Sequence, residues 1–208
     1  MLMESEQDRR RCEFFDQAAE GWEKRNYPPD VMAATETLIS ALPLCEGMTI
    51  LDAGCGCGIL APILRRLAGA KARLIALDAS AAMLAGVAAK DPQAVALLAR
   101  AENIPLLDEY VDMVVCFSAF PHFSDHPAVA REFYRVLRPG GTAHVLHLAS
   151  REMINRHHDG HRAVRGDYLP EKAAMRDMFM AAGFSSVTHD EKPEQYSFAA
   201  EKSEASNG

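Results

Sequence analysis

The run Asp52-Ala53-Gly54-Cys55-Gly56-Cys57-Gly58 leaves an apolar stretch and enters a helical pattern, so three glycines spaced by two stand where a strand becomes a helix. Glycines there let the backbone turn tightly and let a ligand lie directly against it. Asp78 ends the next apolar run, where a carboxylate can accept hydrogen bonds from both hydroxyls of a ribose. Together they point to a nucleoside-containing cofactor. A dinucleotide fingerprint starting at Gly54 would place its third glycine at 59, where this chain has Ile59.

Histidines are the other residues suited to proton chemistry near neutral pH. His122, in Ser118-Ala119-Phe120-Pro121-His122-Phe123, lies just past the fourth apolar run, and is a candidate catalytic residue that touches the substrate. Its other reading is a histidine that only hydrogen-bonds the helix that follows. His157 and His161 stand at i, i+4, a two-ligand metal spacing without a third group. A solvated polar lid with no metal is the competing account, and no metal site is assigned. His144 and His147 are three apart on a strand and point to opposite faces. The five cysteines read as free thiols, and Cys55-Gly56-Cys57 is C-x-C with no second pair to complete a zinc site.

The elements that must position these residues alternate from residue 48 onward, the pattern of a parallel sheet wrapped by helices. Strands are expected at 48–53, 72–78, 95–99, 111–117 and 142–148, with two short ones at 186–189 and 195–199. Helical faces run through Leu60, Ile63, Leu64 and Leu67, and through Val129, Phe133, Val136 and Leu137. Pro170-Glu171 starts and Gly183 stops a helix striped by Met175, Met178 and Phe179. Ahead of the sheet, one helical stretch carries Phe15, Ala19 and Trp22, and another opens at Asp30 as N-cap. Trp22 and Tyr27, with Phe14 and Phe15, either close over the cofactor and substrate or merely pack that helix onto the domain. The interval 149–169 is too long for an ordinary connection and too polar for core, so it is expected to roof a site.

The chain has 208 residues, 49% of them apolar and 25% charged, with a formal net charge of −7. That is the profile of one soluble domain without the basic surface a nucleic-acid partner requires. No apolar run reaches membrane-spanning length, and Met1-Leu2-Met3-Glu4-Ser5-Glu6 lacks the order of an export signal, so a cytoplasmic protein with no membrane partner is expected.

The pattern Asp52-x-Gly54-x-Gly56-x-Gly58 resembles motif I of the class I S-adenosylmethionine (SAM) dependent methyltransferases. Ala76-Leu77-Asp78-Ala79-Ser80 looks like the second motif of that family, and Ala101-Glu102-Asn103-Ile104-Pro105-Leu106 like the stretch after its third strand. Val111 to Ser118 is similar to the fourth motif, and Glu132-Phe133-Tyr134-Arg135-Val136-Leu137-Arg138-Pro139-Gly140-Gly141 to the signature before the fifth strand. Five motifs in order, nearest to the small-molecule type 11 branch, imply an α/β Rossmann-like fold. Its sheet is seven-stranded and mostly parallel, with helices on both faces and an antiparallel C-terminal strand.

The resemblance implies an organisation of N-terminal capping helices at 1–45, a SAM-binding domain at 46–202 with 149–170 as substrate lid, and a disordered tail at 203–208. It implies that Asp52, Ala53, Gly54, Cys55, Gly56 and Gly58 hold the methionine and ribose part of SAM, and that Asp78 holds the ribose hydroxyls. Ala79, Ala101 and Glu102 would stand near the adenine, and Ser118 and Ala119 near the methionine end. Many members have Asp before that Ala101, where this chain has Arg100. The implied activity is methyl transfer to a small-molecule acceptor with S-adenosylhomocysteine (SAH) as product, and Trp22, Tyr27, His157 and His161 as substrate residues. The alternatives are a SAM- or SAH-binding module that transfers nothing, and a nicotinamide-dependent oxidoreductase on the same kind of sheet.

Overall fold

The computed structural model describes residues 6–205. Seven strands form one sheet in the order β3-β2-β1-β4-β5-β7-β6. They are β1 (Thr49–Ala53), β2 (Arg73–Asp78), β3 (Val95–Leu98), β4 (Val111–Phe117), β5 (Leu137–His147), β6 (Ser186–Lys192) and β7 (Gln195–Glu201). The first five are parallel, and β7 runs antiparallel to β5 and to β6. After β1 the chain moves outward to β2 and β3, then returns to lay β4 on the other side of β1. The strand order therefore reverses between β1 and β4, which opens a crevice beyond their carboxyl ends.

Alternation along the strands divides the core in two. Leu51, Val114, Cys116 and Val145 face one side, against α7 (His126–Val136) and α9 (Lys172–Ala182) through Val129, Phe133, Met175 and Phe179. Ile50, Met113, Val115 and Leu146 face the other, against α3 (Pro29–Ser40) and α4 (Ala61–Ala68) through Leu38, Ile39, Leu60 and Leu64. Burying such side chains stabilises by roughly 1.5 to 3 kcal/mol each. Strands buried on both faces read as mainly apolar runs, and β1 and β4 are apolar apart from Thr49, Asp52 and Asp112.

Several expectations are corrected at the element ends. The single N-terminal helix through Trp22 is two, α1 (Glu6–Ala18) and α2 (Trp22–Asn26), because Gly21 takes a left-handed φ of 69°. Arg25 fills the break by donating to the carbonyls of Ala18 and Glu20. The N-cap of α3 is Pro28, not Asp30, since Pro29 holds its predecessor extended. Strand β5 begins at Leu137 rather than Thr142, with a register irregularity at Val111/Met113 before the regular ladder resumes. The long interval after β5 contains α8 (Arg151–Gly160), and Ile154, His158, Val164 and Leu169 within it are buried, so it is folded onto the core.

The chain leading into the tail expected at 203–208 is anchored. Lys202 is buried, and its amine donates to the carbonyls of Tyr134 and Leu137 at the end of α7, where a cation favours the helix dipole. Ser203 accepts from the Gly140 amide at 3.2 Å, and residues 206–208 lie outside the described residues. Among the described residues no helix is long and apolar enough to cross a membrane.

Gly183 ends α9 with φ 113°, and a Cβ there would stand 2.9 Å from the Tyr134 ring. Gly183→Ala is expected to cost about 1 to 3 kcal/mol. At about 2 to 4 °C of melting temperature per kcal/mol for a chain of this size, calorimetry should show a clear drop. An unchanged transition would contradict the packing of α9 on α7.

Candidate active site

Strand β1 ends in the glycine turn. Gly54, Gly56 and Gly58 all take left-handed φ values of 76°, 52° and 78°. The amides of Gly54 and Cys55 both donate to the Leu77 carbonyl of β2, at 2.8 and 2.9 Å. A Cβ at Gly54 would lie 2.4 Å from the Ala119 Cβ, and one at Gly58 would lie 3.0 Å from Val87. These two glycines let neighbouring segments touch the turn. Gly56 differs, because a Cβ there would meet only Met83 Sδ at 4.0 Å, so its backbone borders open cavity.

Asp78 locks the turn from the end of β2. Its Oδ2 accepts from the Gly56 amide at 2.8 Å, and its Oδ1 accepts from the Ser80 amide at 2.9 Å. Burial raises the Asp78 pKa, and the amides of Ser80, Gly56 and Ala79 oppose that rise. Asp52, more deeply buried beside it, is pushed up to about 8 by burial first and by the Asp78 charge second. Burial holds these two carboxyls toward their neutral forms, and a cationic ligand beside them would draw out their charge, so this end of the cavity is a setting for a cation. The thiols of Cys55 and Cys116 are held protonated by burial, as is the Tyr27 phenol, which hydrogen-bonds Ser118.

The cavity continues past β4. Ser118 sits at φ 53°, an uncommon conformation for a residue with a side chain, and its amide donates to Leu146. The turn Phe120–His122 follows and brings His122 to the cavity wall, its Nδ1 2.9 Å from Asp167 Oδ2. Helix α1 roofs the space with one face, Asp8, Arg11, Cys12 and Phe15, spaced i, i+3, i+4, i+7. Arg11 donates to Asp167 from Nε at 3.0 Å and from Nη2 at 2.6 Å, and Phe15 meets the His122 ring at 5.1 Å. Farther along the roof, Asp16 accepts from the Ser80 hydroxyl. The enclosed and adjoining open space together come to about 970 Å³.

The family model described as "Methyltransferase domain" matches residues 51–145. Those residues form a class I methyltransferase domain. A malonyl-[acyl-carrier protein] O-methyltransferase of Yersinia pestis is 40% identical over 131 residues, 60% of this chain and 47% of that protein. An uncharacterized methyltransferase of Schizosaccharomyces pombe is 38% identical over 116 residues, 56% and 44% of the two chains. The chain thus spans about half the length of the curated relatives it matches. A solved SAM-dependent methyltransferase from Thermotoga maritima shares the fold at a TM-score of 0.73, with 19% identity across 92% of this chain and 99% of that one.

The methyltransferase domain and its roof bring most of the expected site residues to one cavity. Asp52, Gly54, Cys55, Gly56, Asp78, Ala79, Ala101, Glu102, Ser118, Ala119 and His122 line it, as do Trp22 and Tyr27 from the N-terminal helices. Ala53 is buried inside β1 and Gly58 packs on Val87, so neither borders the cavity. His157 and His161 are also away from it. Helix α8 turns Ile154 and His158 inward at i, i+4, which leaves His157 and His161 exposed, their rings 4.4 Å apart and tilted at 44°. Among the described residues no group of three His, Cys, Asp or Glu side chains is placed to hold a metal ion.

Asp8, Arg11 and Cys12 also wall the cavity, with no local motif to mark them. Only the i, i+3, i+4, i+7 spacing of α1 carried a signal. Arg100, at the position where the family resemblance implied an acid, pairs with Asp8 at 3.1 Å and with Glu102 at 3.2 Å, so an acid reaches this position from the roof. Glu102 is further engaged by the Ser124 amide at 2.7 Å.

Because the Asp52 pKa is raised from about 3.8 to about 8 on folding, the folded protein binds more protons than the unfolded chain across that window. Stability must fall as pH rises through it, by up to about 1.4 kcal/mol per unit, and level off above it. Asp52→Asn lacks this loss. Denaturant unfolding of the ligand-free proteins is expected to show a variant advantage that is larger near pH 8 than near pH 5. A pH-independent difference would contradict the buried, raised carboxyl.

Proposed function

We propose that this protein transfers a methyl group from SAM to a small-molecule acceptor. The observation that carries the reading is the pair of desolvated carboxylates, Asp52 and Asp78, on a turn whose Gly56 backbone is bare toward the cavity. SAM is a nucleoside that bears a sulfonium and an ammonium group, and such charges would find their counterions here. A pyrophosphate would meet two acids instead, which counts against a nicotinamide dinucleotide. The methyltransferase domain and the neighbouring fold support the same cofactor.

Bound SAM supplies a methyl group already activated by positive sulfur. The protein's part is to bind, align and keep water out. Gly56 and Asp52 would take the methionine end, and Asp78, with lone pairs left after accepting from Gly56 and Ser80, would take the ribose hydroxyls. Ala79, Ala101 and Glu102 would border the adenine end, and Ser118 and Ala119 the methionine end. Trp22, Tyr27 and Phe15, which line the same cavity as His122, would wall the acceptor space. Closure by α1 would exclude water from the reacting atoms. The relatives that act on a malonyl group support oxygen as the receiving atom, and the net charge of −7 supports a small acceptor over a polyanion.

Titration calorimetry with SAM, SAH and NAD on wild type and Asp78→Ala tests this. SAM and SAH are expected to bind wild type and to bind the variant at least about 10-fold more weakly, the scale of hydrogen bonds to a charged group. Incubation with methyl-labelled SAM and a metabolite extract should then move label into a small product. Heat from NAD alone would overturn the reading, and SAH binding with no label transfer from any extract would leave a binding module.

A further inference from the structure

His122 has its two ring nitrogens in different surroundings. Nδ1 lies 2.9 Å from Asp167 Oδ2, whereas Nε2 makes no hydrogen bond to a described residue and is not sealed from the cavity. The Asp167 side chain is 1% exposed, and both its oxygens accept from the Arg11 fork. A carboxylate held that way is ionised: burial works to raise its pKa, but the hydrogen bonds from His122 and Arg11 outweigh it and keep the pKa below the usual range. An ionised carboxylate can only accept, so the hydrogen bond to His122 requires the proton to sit on Nδ1.

The other groups around the ring do not compete for that bond. Phe15 meets it edge-on from α1. His158 of α8 lies 4.8 Å away, with its own Nδ1 2.5 Å from the Asp167 carbonyl, which likewise demands a donor. His147 of β5 is fully buried behind the pair, its pKa lowered to about 3 chiefly by burial. These two neutral rings add no proton donor toward Nε2.

We propose that Asp167 is a positioning residue that fixes His122 with its proton on Nδ1, leaving Nε2 bare at the acceptor end of the cavity to receive the proton of a hydroxyl-bearing acceptor. The inference rests on the methyl-transfer reading. In the step it serves, a lone pair on the acceptor oxygen forms the bond to the methyl carbon as the carbon–sulfur bond breaks. The pair from the broken carbon–sulfur bond stays on sulfur, and the acceptor's proton passes to His122 Nε2. The imidazolium is stabilised by Asp167 and later releases the proton to solvent. An acceptor arriving as a carboxylate has no proton to lose and would gain nothing from this pair. Arg11 belongs to α1, so the same helix that roofs the cavity also orients the carboxylate.

The test is long-range proton–nitrogen correlation NMR on ligand-free protein labelled with ¹⁵N-histidine, with the His122 signals assigned by their loss in His122→Gln. Wild type is expected to show a protonated Nδ1 and a bare Nε2. In Asp167→Asn the amide group can donate to Nδ1, so the proton is expected to move to Nε2. Label transfer into the metabolite extract should then fall about 100-fold, with SAH affinity unchanged. A wild-type ring protonated on Nε2, or equal transfer by Asp167→Asn, overturns the proposal. The wild-type spectrum decides even if the variant does not fold. Failure of wild type to bind SAM or SAH would instead sink the methyl-transfer reading, while the spectrum still reports the tautomer.

Discussion

One hydrogen bond ties the working end of this molecule together: the Gly56 amide donating to the carboxylate of Asp78. It joins the turn after β1 to the end of β2, and it forms only because three glycines accept left-handed backbone that other residues resist. Side chains at Gly54 or Gly58 would push Ala119 or Val87 away, and with them the segment after β4 and the short helix after Gly86. The crevice opened by the strand order thus becomes a ligand-sized cavity because the backbone at its floor is bare.

Charge within that cavity is sorted by position. The acids Asp52 and Asp78 lie at the glycine turn, where burial works against their ionisation. The arginines lie at the other end, and each is already engaged: Arg11 with Asp167 and Asp8, Arg100 with Asp8 and Glu102. Buried arginine–carboxylate pairs of this kind specify geometry more than they add stability. Here the geometry they specify is the seat of α1 across the cavity and the orientation of the Asp167 carboxylate beneath it. Roof and proton-handling residue are parts of one network.

What was legible in the sequence was local. Val111–Phe117 is a strand with the expected limits because a run that is apolar but for Asp112, set between turn signals, is its own evidence, and Gly183 stops α9 because a left-handed cap is a one-residue event. The glycine turn and Asp78 were readable for the same reason. What was hidden depends on distant partners. Arg11 sits in Arg9-Arg10-Arg11 with nothing local to set it apart, and its partner Asp167 is 156 residues away. His158 was passed over for His157 and His161, since i, i+4 spacing says which residues share a face but not which face turns inward. Gly21 broke a helix that the spacing of Phe15, Ala19 and Trp22 had joined, and the anchoring of Lys202 was hidden because its carbonyl partners come from α7.

The most direct measurement of the central claim is a crystal structure with SAH bound. The account predicts the ribose hydroxyls on the Asp78 carboxylate, the homocysteine against the Gly56 backbone, and the sulfur directed toward the space walled by His122. A sugar lodged away from Asp78, or a glycine turn filled by protein atoms in the complex, would contradict it.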